Sequence, residues 1–478
     1  MKKYSKQIPI SLMGLFLMVF VYGCASYNER VASYYKKIAE GDYLAAEKDL
    51  ERNSLLKKPR NKLLYLMELG RVSQLNGNYE ASNRYFNEAD RLLEIGLGNT
   101  RDAIVGTLVN PMTQNYKGED FEKFMIHYYK ALNYIYLNNT EEAIVEARRI
   151  SLQTQAQADK YNDKANRYSQ DAFSLMLQGL IYERDRDVNN AFIAYRNAVE
   201  VYLKQKDTIY YDTPIPTGLK YDVMRMAYLN GFESELQRFE KIFNMPYKHY
   251  QAGAGGELVL FWENGLAPIK QQEDLVFSLV KGSNGDFVFT NAAGTILIPI
   301  DHDVYRNNST SLNDVHSVRV AFPKYVSKPA YFTDASINVD SNHFYFEKAE
   351  DINALAVETL KQRFGKEMGK TLTRLAIKKG AEYALKESAK GSGKNGKDNA
   401  LLEGLGFGVQ LYSLLSEKAD TRNWQSLPNQ ILYTRVPLKL GENKIALQLK
   451  SKDGNSHTDT LTVKGNGNLQ FLSYPTLR

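Results

Sequence analysis

Between Val31 and about Lys248, glycine, alanine and aromatic residues return at helical spacing, and this return constrains the fold more than any other feature of the chain. It is clearest from Leu175 to Ala198, where Gly179, Tyr182, Ala191, Tyr195 and Ala198 mark two helices joined by the polar turn Asp185-Arg-Asp187. Small residues let two helix backbones cross closely, and the aromatics fill the grooves beside the crossing. Earlier units carry the same marks: Gly41, Tyr43, Ala46 and Leu50; then Gly70, Gly77, Tyr79, Ser82, Phe86 and Ala89; then Ala131, Tyr134, Ala143 and Ala147.

The pattern is that of a divergent tetratricopeptide helix–turn–helix repeat. Ala46, Ser82, Ala143 and Ala191 take equivalent places, 36, 61 and 48 residues apart. The first interval is close to the 34-residue period, and the others require insertions. The packing marks are thus Gly70, Ala143, Gly179, Tyr182, Ala191, Tyr195 and Ala198. A stack of such pairs is expected to form a solenoid with a concave face for a peptide or a partner domain. One insertion, Gly96 to Glu122, precedes His127-Tyr-Tyr129. Glu142, Glu146, Arg148 and Arg149 are placed to pair with that region, as a buried ion network or as a polar binding pocket.

The periodicity then changes. Ala252-Gly-Ala-Gly-Gly256 is a small-residue break, and strand patterns follow. Glu257 to Trp262 is a nearly continuous apolar run, whereas Val318, Val320, Phe322 and Ile445, Leu447, Leu449 alternate. Ser283-Asn-Gly285 and Asp453-Gly454 are hairpin turns. A helical insert, residues 351–420, interrupts the strands; Gly404 and Gly408 mark the second arm of an expected helical hairpin. The expected fold class is α+β: a tetratricopeptide-like helical domain over residues 24–250, then a β-sandwich-like domain over 251–478 that carries the insert.

Residues 1–23 read as an export signal. Three lysines precede an apolar run, and Val21-Tyr-Gly-Cys24 resembles the lipobox at which a bacterial lipoprotein is cleaved and acylated on its cysteine. Cys24 is the only cysteine, so no internal disulfide forms. Without Lys2, Lys3 and Lys6 the chain has 58 basic and 55 acidic residues, a net charge of +3 that implies no nucleic-acid partner. Ala25 and Ser26 lack the aspartate that often holds lipoproteins in the inner membrane, so the expected place is the outer membrane, facing the periplasm.

Charge is concentrated in one segment. From Lys361 to Lys397 there are eleven lysines and arginines but three acids, and Lys366, Lys370, Arg374 and Lys378 recur at helical spacing. They form a basic face suited to an anionic partner, or a solvated helix surface. No reaction is named by any motif. Gly391-Ser-Gly-Lys-Asn-Gly-Lys397 has the glycines and lysine of a phosphate-binding loop but follows a helix and precedes Asp398 instead of serine or threonine. The six histidines lack metal-ligand spacing, so neither metal nor cofactor is expected.

Three blocks, Ser169 to Glu183, Gly256 to Lys270 and Ala419 to Pro428, resemble signature stretches of a family of uncharacterised tetratricopeptide-repeat lipoproteins of Gram-negative bacteria. The resemblance covers most of the mature chain and implies envelope assembly or maintenance, with no catalytic residues to carry over. The expected function is therefore an interaction scaffold with an envelope protein partner, held to the membrane by its N-terminal lipid. The alternative is an envelope hydrolase, acting on peptidoglycan or glycan, with an acidic site in the cleft between the two halves.

Overall fold

The computed structural model describes residues 26–95, 111–161, 168–249, 252–281, 286–299, 317–340, 342–391 and 418–478. Cys24 and the second arm of the insert, with Gly404 and Gly408, lie outside them. The architecture is α+β. Among the described residues, ten α-helices come first: α1 (Tyr27–Glu40), α2 (Tyr43–Arg52), α3 (Lys62–Leu75), α4 (Tyr79–Ile95), α5 (Asp120–Tyr136), α6 (Thr140–Tyr161), α7 (Ala172–Arg184), α8 (Val188–Leu203), α9 (Thr217–Leu229) and α10 (Glu233–Phe243). Each packs on the next in sequence. Their starts are written locally: the side chains of Asp42, Asp171 and Asp187 each accept a hydrogen bond from a first-turn N–H of α2, α7 and α8.

The small residues sit at the crossings. A Cβ on Gly70 would lie 2.6 Å from the ring of Phe86, and one on Gly179 would lie 2.4 Å from the ring of Tyr195. Ala143, Ala191 and Ala198 are wholly buried, and Tyr182 and Tyr195 are buried beside them. Ala191→Leu will destabilise the protein by about 1–3 kcal/mol through overpacking, read as a lower denaturation midpoint. An unchanged midpoint would put Ala191 on a free surface. Gly231 (φ +70°) ends α9 and turns the chain into α10.

The strands of the described residues form a small hairpin, β1 (Ile209–Tyr210) with β2 (Thr213–Pro214), and three four-stranded sheets. The central sheet has the order β10 (Glu347–Asp351), β11 (Pro428–Pro437), β3 (Glu257–Leu266), β14 (Leu469–Thr476), with β14 parallel to β3. The second is β13 (Ser456–Gly465), β12 (Gly441–Ser451), β8 (Phe332–Val339), β9 (Asn342–Tyr345). The third is β6 (Leu297–Pro299), β5 (Phe287–Asn291), β4 (Ile269–Lys281), β7 (Ser317–Val326).

Strand β3 is covered on both faces, which is why its sequence does not alternate. Leu258, Leu260 and Trp262 pack with Ile337, Ile445 and Leu447 of the second sheet, while Val259 and Phe261 join the core of the helices. The same core contains Ile431 and Tyr433 of β11, so helices and central sheet share one interior. The glycines before β3 serve close approach: a Cβ on Gly255 would fall 2.2 Å from the backbone of Lys439.

Helix α11 (Ile352–Gly391, 40 residues) spans about 60 Å. Leu360, Met368, Leu372 and Leu375 are buried, and Phe364 meets Phe322 of β7 edge-on at 4.8 Å. Lys366 and Lys370 are exposed; the side chains of Arg374 and Lys378 lie outside the described part of the helix. Among the described residues no helix is long and apolar enough to cross a membrane.

Candidate functional site: a polar seam between helices and sheet

The odd-numbered residues of β3 face the helices, and two of them are acids, Glu257 and Glu263. Each meets an arginine from a helix. Arg71 of α3 pairs with Glu263, both without solvent contact, and Glu263 also accepts from the Tyr128 hydroxyl at 2.9 Å and the Ser473 hydroxyl at 3.0 Å. The guanidinium of Arg71 lies 4.4 Å from the Tyr129 ring centre.

Beside this pair runs an extended segment, Asp420 to Leu427, pressed between α3, α5 and β3. Arg422, Asn423, Trp424, Gln425, Ser426 and Leu427 are all buried. Glu68 accepts from Tyr34 (2.9 Å), Tyr35 (2.7 Å), the Ser426 hydroxyl and the Gln425 N–H (3.2 Å). Glu122 accepts from the Trp424 N–H at 2.7 Å and the Tyr116 hydroxyl at 2.6 Å. Arg422 donates to the carbonyls of Gln114 (3.0 Å) and Pro111 (3.3 Å) and to the Asn61 side chain (2.8 Å). Glu119 pairs with Lys270 of β4 and Arg363 of α11, tying all three parts together.

Burial sets the proton affinities along the seam. Glu68 is pushed up to about 7, burial outweighing its hydrogen bonds from Ser426, Tyr35 and Tyr34. At Glu119 burial acts in the same sense, but Arg363 and Lys270 outweigh it and hold the acid at about 2. Because the folded protein holds the Glu68 proton more tightly than the unfolded chain, its contribution is fully present below about pH 4.5 and is lost as pH rises through about 7. Glu68→Gln removes that loss. The denaturation midpoint of the variant will therefore gain on the parent from pH 5 to pH 8; a constant difference would contradict the assignment.

At the other end the seam opens. A cavity of about 450 Å³ has Asp222, Glu257, Arg225, Arg435, Lys248 and His249 as its polar lining, with Tyr221, Tyr247 and Phe344 around them. Arg225 meets Glu183 at 2.5 Å, Asp222 at 2.9 Å and Glu257 at 3.3 Å. Arg435 meets Glu183 and Asp222, each at 2.9 Å. Asp222 is raised to about 8, by burial first and then by Glu183 and Glu347 against the pull of Arg225. Glu257 is raised to about 7 by burial, again against Arg225.

The region of His127 is an ion network. His127 Nδ1 lies 2.8 Å from Glu146, Lys130 bridges Asp90 and Glu146 at 2.9 Å each, and Arg149 reaches Asp90 at 2.8 Å. Glu142 and Arg148 stay exposed outside it. Asp90, His127 and Glu146 bring their ligand atoms within 4.8 Å of one another, as a metal site would. The Lys130 ammonium already stands between the two carboxylates as their cation, so the donor set fits a lysine better than a metal ion.

The sequence marks and the cavity coincide only in part. Gly179, Tyr182, Ala191, Tyr195 and Ala198 build the helix pair behind it, and Tyr195 donates to Glu183 at 2.7 Å. Lys366 and Lys370 are elsewhere, on α11. Asp222, Glu257 and Arg435 carry no local signal, because they come from one helix and two strands.

No protein-family model matches the sequence, and no curated protein matches it. Among solved structures, the apo form of RapI is similar with a TM-score of 0.32 and 10% identity, over 49% of this chain and 58% of that one. The chain thus spans less than two thirds of RapI, and a likeness this distant carries no argument.

Proposed function

We propose that this protein is a lipid-anchored scaffold of the cell envelope, attached through Cys24 to the outer membrane and facing the periplasm. In this reading α1 to α10 are a divergent tetratricopeptide-like solenoid, and the segment after α11 completes a helical hairpin. One observation carries the scaffold over the hydrolase. Over most of its length the space between helices and central sheet, where the hydrolase alternative would place an acidic site, is filled by residues 420–427, and Glu68, Glu122 and Glu263 there all accept hydrogen bonds from buried donors. Such an interior supports rigidity and leaves recognition to the outer surface. Exposed apolar side chains on α9 and α10, Tyr228, Leu229 and Ile242, add to that support.

The anchor is tested by Cys24→Ser. The variant will lose fatty-acid labelling and leave the membrane fraction; a variant that stays membrane-bound and uncleaved contradicts the lipobox reading. Crosslinking in intact cells, followed by identification of captured proteins, tests the scaffold itself.

The hydrolase reading keeps one support, the raised carboxyls of Asp222 and Glu257 in an open cavity. Turnover of peptidoglycan that Glu257→Gln abolishes would favour it.

A further inference from the structure

A second cavity, of about 580 Å³, opens beside Ser26, the first of the described residues. It lies between the first turn of α1, the turn that follows α2, Met112, the start of β4 and the segment Lys418 to Thr421. Three of its lining residues are cations, Arg30, Arg60 and Lys418, and among the described residues no carboxylate lines it.

None of these three cations makes an ion pair among the described residues, and the buried Nε of Arg60 donates to no acceptor there. The acids next to the lining residues in sequence are engaged elsewhere. Glu29 accepts from the Ser26 N–H at 2.6 Å and lines an adjoining cavity with Lys36 and Lys328. Asp420 holds the Arg422 guanidinium through both of its oxygens, at 2.8 and 2.6 Å. The arginines of the seam show the opposite pattern, for Arg71, Arg225, Arg363, Arg422 and Arg435 each meet a carboxylate. Three unpaired cations around one hollow call for an anion. The rest of the wall is largely apolar, with Leu55, Met112, Ile269 and the ring of Tyr27.

We propose that this cavity holds the phosphate of an anionic phospholipid, with the glycerol and first methylenes of the lipid against the apolar wall. The inference rests on the lipid-anchored reading above and supplies a second contact with the same membrane. A lipid is favoured over a free anion for two reasons. Ser26 is two residues from Cys24, a reach of about 7 Å at most, so an acyl anchor on Cys24 holds the mouth of the cavity at the lipid surface. Lipid heads are then presented at high effective concentration. The apolar wall is the second reason, since an inorganic anion has nothing to set against Leu55, Met112 and Ile269.

Charge makes the cavity selective. A phosphatidylglycerol head carries a net negative charge, whereas the phosphate of phosphatidylcholine is cancelled by its own ammonium, which three cations repel. Gln271 and Thr421 make no side-chain hydrogen bond among the described residues, and they line the cavity where glycerol hydroxyls would lie. Arg30 and Lys418 are exposed, so salt screens their part of the attraction. A flexible acyl anchor alone leaves the protein free to turn on the bilayer. A lipid head seated here holds the start of α1 and the start of β4 against it.

The experiment uses the full-length protein in micelles of a non-ionic detergent, with methionine labelled at 13Cε. Met112, in the cavity wall, is the reporter, its signal assigned from a Met112→Leu variant. The micelles are doped with phosphatidylglycerol or with phosphatidylcholine of the same chains, and soluble glycerophosphoglycerol supplies the head without chains. The proposal expects a saturable Met112 shift with phosphatidylglycerol and at least tenfold weaker binding of phosphatidylcholine. Raising salt from about 0.1 M to 1 M should weaken phosphatidylglycerol at least fivefold. Arg60→Gln combined with Lys418→Gln should weaken it at least tenfold at an unchanged denaturation midpoint. Arg30→Gln, on an exposed side chain, should weaken it about threefold and carries the mutational test if the double variant does not fold. Lys241→Gln, outside the lining, should leave it unchanged. Equal binding of the two lipids, no saturable shift, indifference to salt, or folded variants that bind as the parent does would each overturn the proposal. Glycerophosphoglycerol binding as tightly as the whole lipid would overturn the lipid source. If Cys24→Ser leaves the membrane fraction while Met112 ignores phosphatidylglycerol, this inference fails and the anchor stands. A Met112 response beside a Cys24→Ser variant that stays membrane-bound and uncleaved keeps this inference and removes the lipobox reading.

Discussion

Replacing Glu263 with Gln will lower the stability of the protein by about 3–5 kcal/mol. The Gln keeps nearly the shape of Glu and can still accept from Tyr128 and Ser473, so little packing is lost. What goes is the negative charge opposite Arg71, whose guanidinium has no solvent contact and stacks on Tyr129. A buried cation without its counter-ion is the costly state, whereas removing both charges is mild. Arg71→Met will be comparably harmful, and the double variant Arg71→Met, Glu263→Gln will be more stable than the sum of the single losses predicts. Denaturant midpoints of the four proteins measure this, and additivity within about 0.5 kcal/mol would mean the two residues are not coupled.

Trp424→Ala will cost about 3–5 kcal/mol, chiefly by leaving a cavity. The indole is wholly buried, packs against Phe86 at 5.7 Å and Tyr129 at 5.8 Å, and donates to the Ser426 hydroxyl at 3.0 Å. It holds residues 420–427 against α3, α4 and α5, so its loss also frees the neighbours. Arg422 is buried in the parent; in the variant, cleavage by trypsin after Arg422 will be at least tenfold faster than in the parent under native conditions. A protein that unfolds as before and keeps Arg422 protected would remove Trp424 from the centre of the seam.

Features that neighbouring residues decide among themselves are legible in the sequence. The unbroken apolar run from Leu258 to Trp262 reports a strand covered on both faces, and Ile445, Leu447 and Leu449 report one covered on a single face. Gly70 and Gly179 lie under aromatic rings because only a residue without a side chain lets those rings in. The seam is not legible in this way. Arg71 and Glu263 are 192 residues apart, and Glu68 and Ser426 are 358 apart, so no periodicity links them. The role of the block Ala419 to Pro428 follows only from the partners it meets in space. The cavity is hidden for the same reason, since its acids and arginines come from α7, α9, β3 and β11.

The structure makes helices and central sheet one body, locked by Arg71–Glu263, Arg225–Glu257 and Glu68–Ser426. Hydrogen exchange across a denaturant series, read by mass spectrometry of peptides from α3, α5, β3 and β11, tests this most directly. A single body predicts that these four elements lose protection together, at one midpoint and with one dependence on denaturant. Protection that survives in α3 and α5 after β3 and β11 have exchanged would contradict it and restore a chain of two independent halves.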